Sequence, residues 1–199
     1  MLKLLNAALL LTALSVSGPA AANSTQRPHL AASSQMPEGK LAMAPIAFLM
    51  FCKHYAAQCT ADGDASKVTM TADVYAQMVA VNKAVNRKIV PDAAKGGMDW
   101  SLETRVGNCN DYAIQKRDAL HAIGFPMAAL SLIVAITPNG QGHLILSVRT
   151  DRGDFILDNL ASRVMPWAET PHKLLKRQSA DHLMQWVMIE QNTEVAAAN

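Results

Sequence analysis

The stretch Val106-Gly-Asn-Cys-Asn-Asp-Tyr-Ala113 sets the reading of this chain. Asn108 is a good helix N-cap, Asp111 suits a first turn, and Gly124 with Pro126 ends the helix. Between them Tyr112, Ala113, Ala119, Leu120 and Ile123 fall on one apolar arc of a helix drawn from Tyr112 to Ile123. Lys116 intrudes on that arc, so its ammonium is expected to snorkel outward. Cys109 then sits in the first helical turn, where the helix dipole favours a thiolate. Downstream, Gly142-His143 opens one apolar strand and Leu157-Asp158-Asn159 closes the next. A Cys at a helix start, a His at a strand start and an Asp one strand later form the set a thiol nucleophile needs. The three are a nucleophile, a base for its proton and an acid group that orients the base.

Around the site the pattern is mixed. Thr71 to Ile89 reads as a helix N-capped at or near Thr71, with Val74, Met78, Val81 and Val85 on one stripe and Pro91 ending it. A loop containing Gly96-Gly97 leads to Trp100. After the central helix come three strands joined by turns: 129–137, 142–150 and 155–158, read as a β-meander. Residues 181–189 form a further strand or helix. On its strand His143 shares a face with Ile145 and Ser147, since side chains alternate. A four-residue turn at Asp151–Asp154 would leave Asp158 on that face but displaced along the ladder. A tighter turn, or a bulge at Gly153, would bring the two together, and both registers remain open.

At the N-terminus Lys3, an apolar run from Leu4 to Val16 and Gly18-Pro-Ala20-Ala-Ala22 read as a secretory signal, residues 1–22, with export to the periplasm or beyond. Residues 23–43 read as a flexible leader, 44–191 as one catalytic domain and 192–199 as a frayed tail. In an exported chain of three cysteines, Cys52 and Cys59 are the natural disulfide and Cys109 the odd thiol. A net charge of +2 without a dense basic block argues against nucleic acid as a partner. The Lys173, Lys176 and Arg177 group reads as a solvated helix face. His54, His172 and His182 lack metal-ligand spacing with an acidic partner, and no phosphate-binding glycine loop is present.

These residues resemble the bacterial transglutaminase-like cysteine peptidases, including their LapG-type branch. The likeness runs from about Phe51 to Ile189. It is carried by Phe51-Cys52 with Cys59, Asn82 and Asn86, Asp99-Trp100, Glu103-Thr104, the 107–113 run, Lys116-Arg117, Gly142-His143, Leu157-Asp158-Asn159, Trp167 and Arg177-Gln-Ser179. The resemblance implies an α+β, papain-like core in which a central helix bearing the nucleophile packs on an antiparallel sheet carrying His and Asp. It implies a periplasmic peptidase with Cys109 as nucleophile, His143 as base and Asp158 as its orienting partner. In the LapG-type branch the substrate is a surface adhesin, and an inner-membrane receptor for a cyclic dinucleotide sequesters the enzyme. That branch has an Asp-Cys-Glu-Asp run that helps bind calcium, whereas here Asn108 and Asn110 flank the cysteine and only Asp111 keeps its carboxylate. Amide oxygens are poor substitutes for anionic ligands of a hard cation, so no cofactor is expected. The same chemistry could serve acyl transfer to an amine, or the fold could persist as a silent binding module.

Overall fold

The computed structural model describes residues 34–190. The signal and most of the leader, at 1–33, and the tail from 191 lie outside the described residues. In chain order the elements are β1 (Glu38–Ala42), α1 (Ile46–His54), α2 (Ala72–Lys88), β2 (Val90–Pro91), β3 (Val106–Gly107) and α3 (Cys109–Ala122). Then come β4 (Leu130–Ile136), β5 (Gly142–Thr150), β6 (Gly153–Leu157), β7 (Met165–Pro166), β8 (Lys173–Gln178) and β9 (Trp186–Ile189).

Seven strands form one antiparallel sheet in the order β1-β9-β8-β4-β5-β6-β7. The meander read from the sequence is its β4–β6 portion. Alternation divides its side chains between two cores. Leu130, Leu132, Leu144, Leu146, Val148, Phe155 and Leu157 face α1 and α3, together with Phe48, Phe51, Trp100 and Ile114. Ile133, Ala135, Ile145, Ile156, Met165 and Leu174 pack on the opposite side with Met36. Among the described residues no helix is long and apolar enough to cross a membrane.

Two stretches differ from the sequence reading. Glu38–Ala42, inside the proposed leader 23–43, is the edge strand β1 paired with β9, so the ordered fold begins before residue 44. The Lys173–Arg177 cluster lies on β8, not on a helix, and Arg177 is fully buried against Asp154 and Ser131. A period-two strand with one charged residue turned inward looks like a polar segment until its buried partner is known. Arg117 is the second such case. It is fully buried and donates to the Gln58 carbonyl at 2.6 Å and to Gln178 Oε1 at 2.9 Å, tying α3 to β8 and to the Cys52–Cys59 loop. That loop is closed by a disulfide across Cα atoms 5.7 Å apart, as expected for the two non-nucleophilic cysteines.

Candidate active site

α3 begins at Cys109, with Asn108 as N-cap. The Asn108 side chain accepts from the Asn110 N–H at 3.1 Å, and Asp111 Oδ2 accepts from the Asn108 N–H at 2.9 Å, a reciprocal box. Gly107 is needed for this return: a Cβ there would lie 2.3 Å from Asp111 Oδ2. As the first residue of the helix, Cys109 has no intrahelical carbonyl to receive its N–H. It is the free cysteine, partly exposed.

The two-stranded parallel pair β2–β3 closes the base of the 92–105 loop beside this turn. Lys95 from that loop places its ammonium 2.7 Å from Asp111 Oδ1, which also accepts from the Ser101 N–H at 2.9 Å. The Asn108 amide donates to the Lys95 carbonyl at 3.1 Å, and the Asn110 amide to the Gly97 carbonyl at 3.2 Å.

On the sheet side, the turn between β5 and β6 is the tighter of the two possibilities, with Thr150 opposite Gly153, whose φ is +108°. The register then sets Leu146 opposite Leu157, so Asp158, one residue beyond β6, continues opposite Ile145 on the His143 face. One diagonal step along the ladder remains, and the carboxylate spans it: Asp158 Oδ1 lies 2.8 Å from His143 Nε2. The loop after Asp158 is pinned from α2. Asn86 Nδ2 donates to the Asp158 carbonyl at 3.0 Å, Asn82 Nδ2 to the Ala161 carbonyl at 3.0 Å and the Tyr75 hydroxyl to the Val164 carbonyl at 2.9 Å.

The site forms at the end of the sheet where β5 starts and β6 stops. There a cleft of about 260 Å³ is lined by Cys109, His143, Asn108, Gln141, Asn159 and Leu160, among others. A larger hollow of about 450 Å³ beside the disulfide, lined by Leu49, Ala56, Thr60 and Met184, has no nucleophile and base together. Burial alone would push the His143 imidazole down, but its hydrogen bonds and charge interactions with Asp158 and Cys109 outweigh that and raise it to about 9. Burial would push the Asp158 carboxyl up. Its bonds to His143, the Leu160 N–H and His172 override this and hold it at about 2. The pair therefore favours imidazolium beside carboxylate.

Two residues depart from the sequence reading. Lys116 does not snorkel: it is buried, its ammonium 5.9 Å from the Tyr112 ring centre. Burial pushes it down to about 7, against the pull of the Asp158 charge. It lies seven residues after Cys109, two turns along the same side of α3. His172, which sequence spacing left without an acidic partner, donates from Nε2 to Asp158 Oδ2 at 2.8 Å. Its fourteen-residue separation from Asp158 has no local periodicity, and only the packing of the loop before β8 reveals the contact.

The donors do not fit calcium. Asp111 is committed to an ammonium and two backbone N–H groups, and the Lys95 and Gly97 carbonyls already receive amide protons. A calcium ion needs six to eight oxygens, several of them anionic. Among the described residues the one His/Asp/Cys/Glu cluster compact enough for a metal is His143, Asp158 and His172. Two imidazoles with one carboxylate suit zinc or copper better than calcium.

A thiol at a helix start, a buried imidazole and a carboxylate on an antiparallel sheet are the parts of a cysteine hydrolase. The family model for bacterial transglutaminase-like cysteine proteinases matches residues 38–194, and the chain belongs to that family. Among solved structures, calcium-bound LapG of Legionella pneumophila is similar at 25% identity and a TM-score of 0.50, over 60% of this chain and 73% of that one. The EGTA-treated form of the Legionella protein is similar at 27% identity and a TM-score of 0.49, over 60% and 68% of the two chains. A third LapG structure from the same organism has 27% identity and a TM-score of 0.49, over 62% and 72%. No curated protein matches the chain.

Proposed function

We propose that this protein is an exported cysteine endopeptidase that cleaves a protein substrate through a thioester on Cys109. The observation that carries the reading is the 2.8 Å contact between His143 and Asp158 beside the cleft that Cys109 and His143 share. With Nε2 directed at Asp158, Nδ1 is the ring nitrogen left for the Cys109 proton. The thiolate attacks the scissile carbonyl carbon. The His143 imidazolium protonates the departing amine, and the acyl group remains on sulfur. His143, now neutral, takes a proton from water, whose oxygen displaces the sulfur and releases the carboxylic acid. The Cys109 N–H is one donor for the oxyanion. Membership of a cysteine proteinase family supports the peptidase class. The apolar N-terminal run and the Cys52–Cys59 disulfide support export to the periplasm. The sequence resemblance to the LapG-type branch, carried by the 107–113 run, Gly142-His143 and Leu157-Asp158-Asn159, supports a surface adhesin as substrate, with a membrane receptor as regulator.

The test is cleavage of a co-expressed surface adhesin, with product ends read by mass spectrometry. Cys109→Ala and His143→Ala should each lower the rate by at least about 10³-fold while thermal melts stay near wild type. Near-normal cleavage by Cys109→Ala would sink the assignment. Products joined to amines instead of hydrolysed ends would make the enzyme an acyl transferase.

A further inference from the structure

We propose that His172 is a positioning residue for the reaction: it anchors the second oxygen of Asp158 and thereby fixes the carboxylate against His143. The inference rests on the peptidase reading and adds a fourth residue to it.

The geometry is a carboxylate held between two imidazoles. Asp158 Oδ1 accepts from His143 Nε2 at 2.8 Å and from the Leu160 N–H at 3.0 Å, while Oδ2 accepts from His172 Nε2 at 2.8 Å. The two ring centres are 5.1 Å apart with the planes inclined at 70°, so the rings also pack edge to face beside the carboxylate they share. The terminal torsion of an aspartate is soft. A carboxylate anchored through one oxygen can swivel, and the direction of its lone pair at His143 swivels with it. A donor on the far oxygen removes that freedom.

His172 is placed for that task. It is buried, and its Nδ1, also buried, has no hydrogen-bond partner among the described residues. A histidine kept only to hold its own loop would be expected to satisfy both nitrogens, since an unpaired buried polar atom is costly. Here the ring leaves one nitrogen unpaired and spends the other on the Asp158 carboxylate. Donation to an anion requires the proton on Nε2; in the neutral ring Nδ1 is then a bare acceptor, the less expensive atom to strand than an N–H. The arrangement also explains how a carboxylate that is almost wholly inaccessible stays ionised: every polar atom directed at it is a donor.

Three measurements test this. The first is alkylation of Cys109 by iodoacetamide against pH, with thermal melts to confirm folding. Wild type should react much faster at neutral pH than an ordinary exposed thiol, and its upper inflection should report loss of the His143 proton. In His172→Phe, which keeps the ring volume without the donor, the rate should fall about tenfold and that inflection should move down by about one pH unit. The second is the same profile in His172→Gln, whose amide N–H can replace the donor and should recover most of both. The third measurement needs no variant: in ¹⁵N-histidine spectra of the unmutated protein His172 should be fixed as the Nε2–H tautomer, with its signal following the His143 titration. A folded His172→Phe with the wild-type rate and inflection overturns the proposal, as does a His172 signal that ignores the His143 titration. If wild-type Cys109 itself reacts no faster than an ordinary thiol, it is the peptidase reading that fails.

Discussion

Two buried carboxylates flank the cleft and are put to different use. Asp111, at the start of α3, is held by the Lys95 ammonium and by the backbone N–H groups of Ser101 and Asn108. None of these partners has a part in moving a proton to or from the nucleophile, so Asp111 works as a clamp that shapes the 92–105 loop around the first helical turn. Asp158, just past the end of β6, has one backbone donor and two imidazoles, and one of these, His143, lines the cleft beside Cys109. The same side chain is architecture where its partners hold a loop and chemistry where one of them faces the thiol.

Replacing each Asp by Asn should separate the two roles. Asp158→Asn keeps its shape but presents an amide to one of its two histidines and removes the charge that sustains the imidazolium. Turnover should drop about 10²–10⁴-fold, with some activity left because the base remains. Asp111→Asn should instead act on stability. It breaks the buried half of the Lys95 pairing and leaves the ammonium only the more distant, exposed Asp99 carboxylate at 3.7 Å, costing roughly 3 kcal/mol in urea unfolding. Per folded molecule, its catalysis should change far less than that of Asp158→Asn. Equal losses of turnover in the two variants would end the distinction.

A smaller effect comes from Lys116. The folded-state value of His143, about 9, lies above its ordinary 6.5. Its contribution to stability is therefore complete below about 6.5 and is lost as pH rises through about 9. Lys116 has the opposite sign, with a folded value of about 7 below its ordinary 10.5. It costs most below about 7, and that cost fades as pH rises toward 10.5. The two slopes oppose each other between pH 7 and 9 and should leave the wild-type stability nearly flat there. Lys116→Met removes one slope, so its stability should fall by roughly 2 kcal/mol more than wild type across that interval. An equally flat profile in Lys116→Met would mean that the ammonium is better solvated than its burial indicates.

Local chemistry made part of this legible from sequence. The N-cap at Asn108, the helix stop at Gly124 and the β5 boundaries follow from capping, turn and alternation rules, and the structure gives α3 and β5 to match. The approach of His143 to Asp158 was legible only as two open registers, because one turn residue more or less shifts the whole ladder. Hidden from sequence were the charged residues turned inward: Lys116, Arg117 and Arg177. A charge reads as solvent-facing until a distant partner buries it, and Gln58, Gln178 and Asp154 lie from 23 to 61 residues away from the arginines they meet. His172 was hidden for the same reason. The resemblance to the family drew Lys116, Arg117 and Arg177 together as tokens without saying what they touch.

The smallest expected effect is at the clamp itself, where the Asp111 side of the comparison is sharpest. In the calcium-bound Legionella structure a cation is present; here Lys95 brings its own positive charge to 2.7 Å from Asp111, and the Asn108 and Asn110 amides donate to loop carbonyls. A calcium ion entering this junction would have to displace an ammonium and reverse two amides, gaining few anionic ligands in return. Melting temperature and alkylation rate of Cys109 should therefore be unchanged by EGTA or by millimolar calcium. A triple variant, Lys95→Met with Asn108→Asp and Asn110→Glu, removes the built-in charge and restores the carboxylates, and should become calcium-dependent in both measurements. If EGTA slows the unmodified protein and calcium restores it, the Lys95 ammonium is not the cation that the clamp requires.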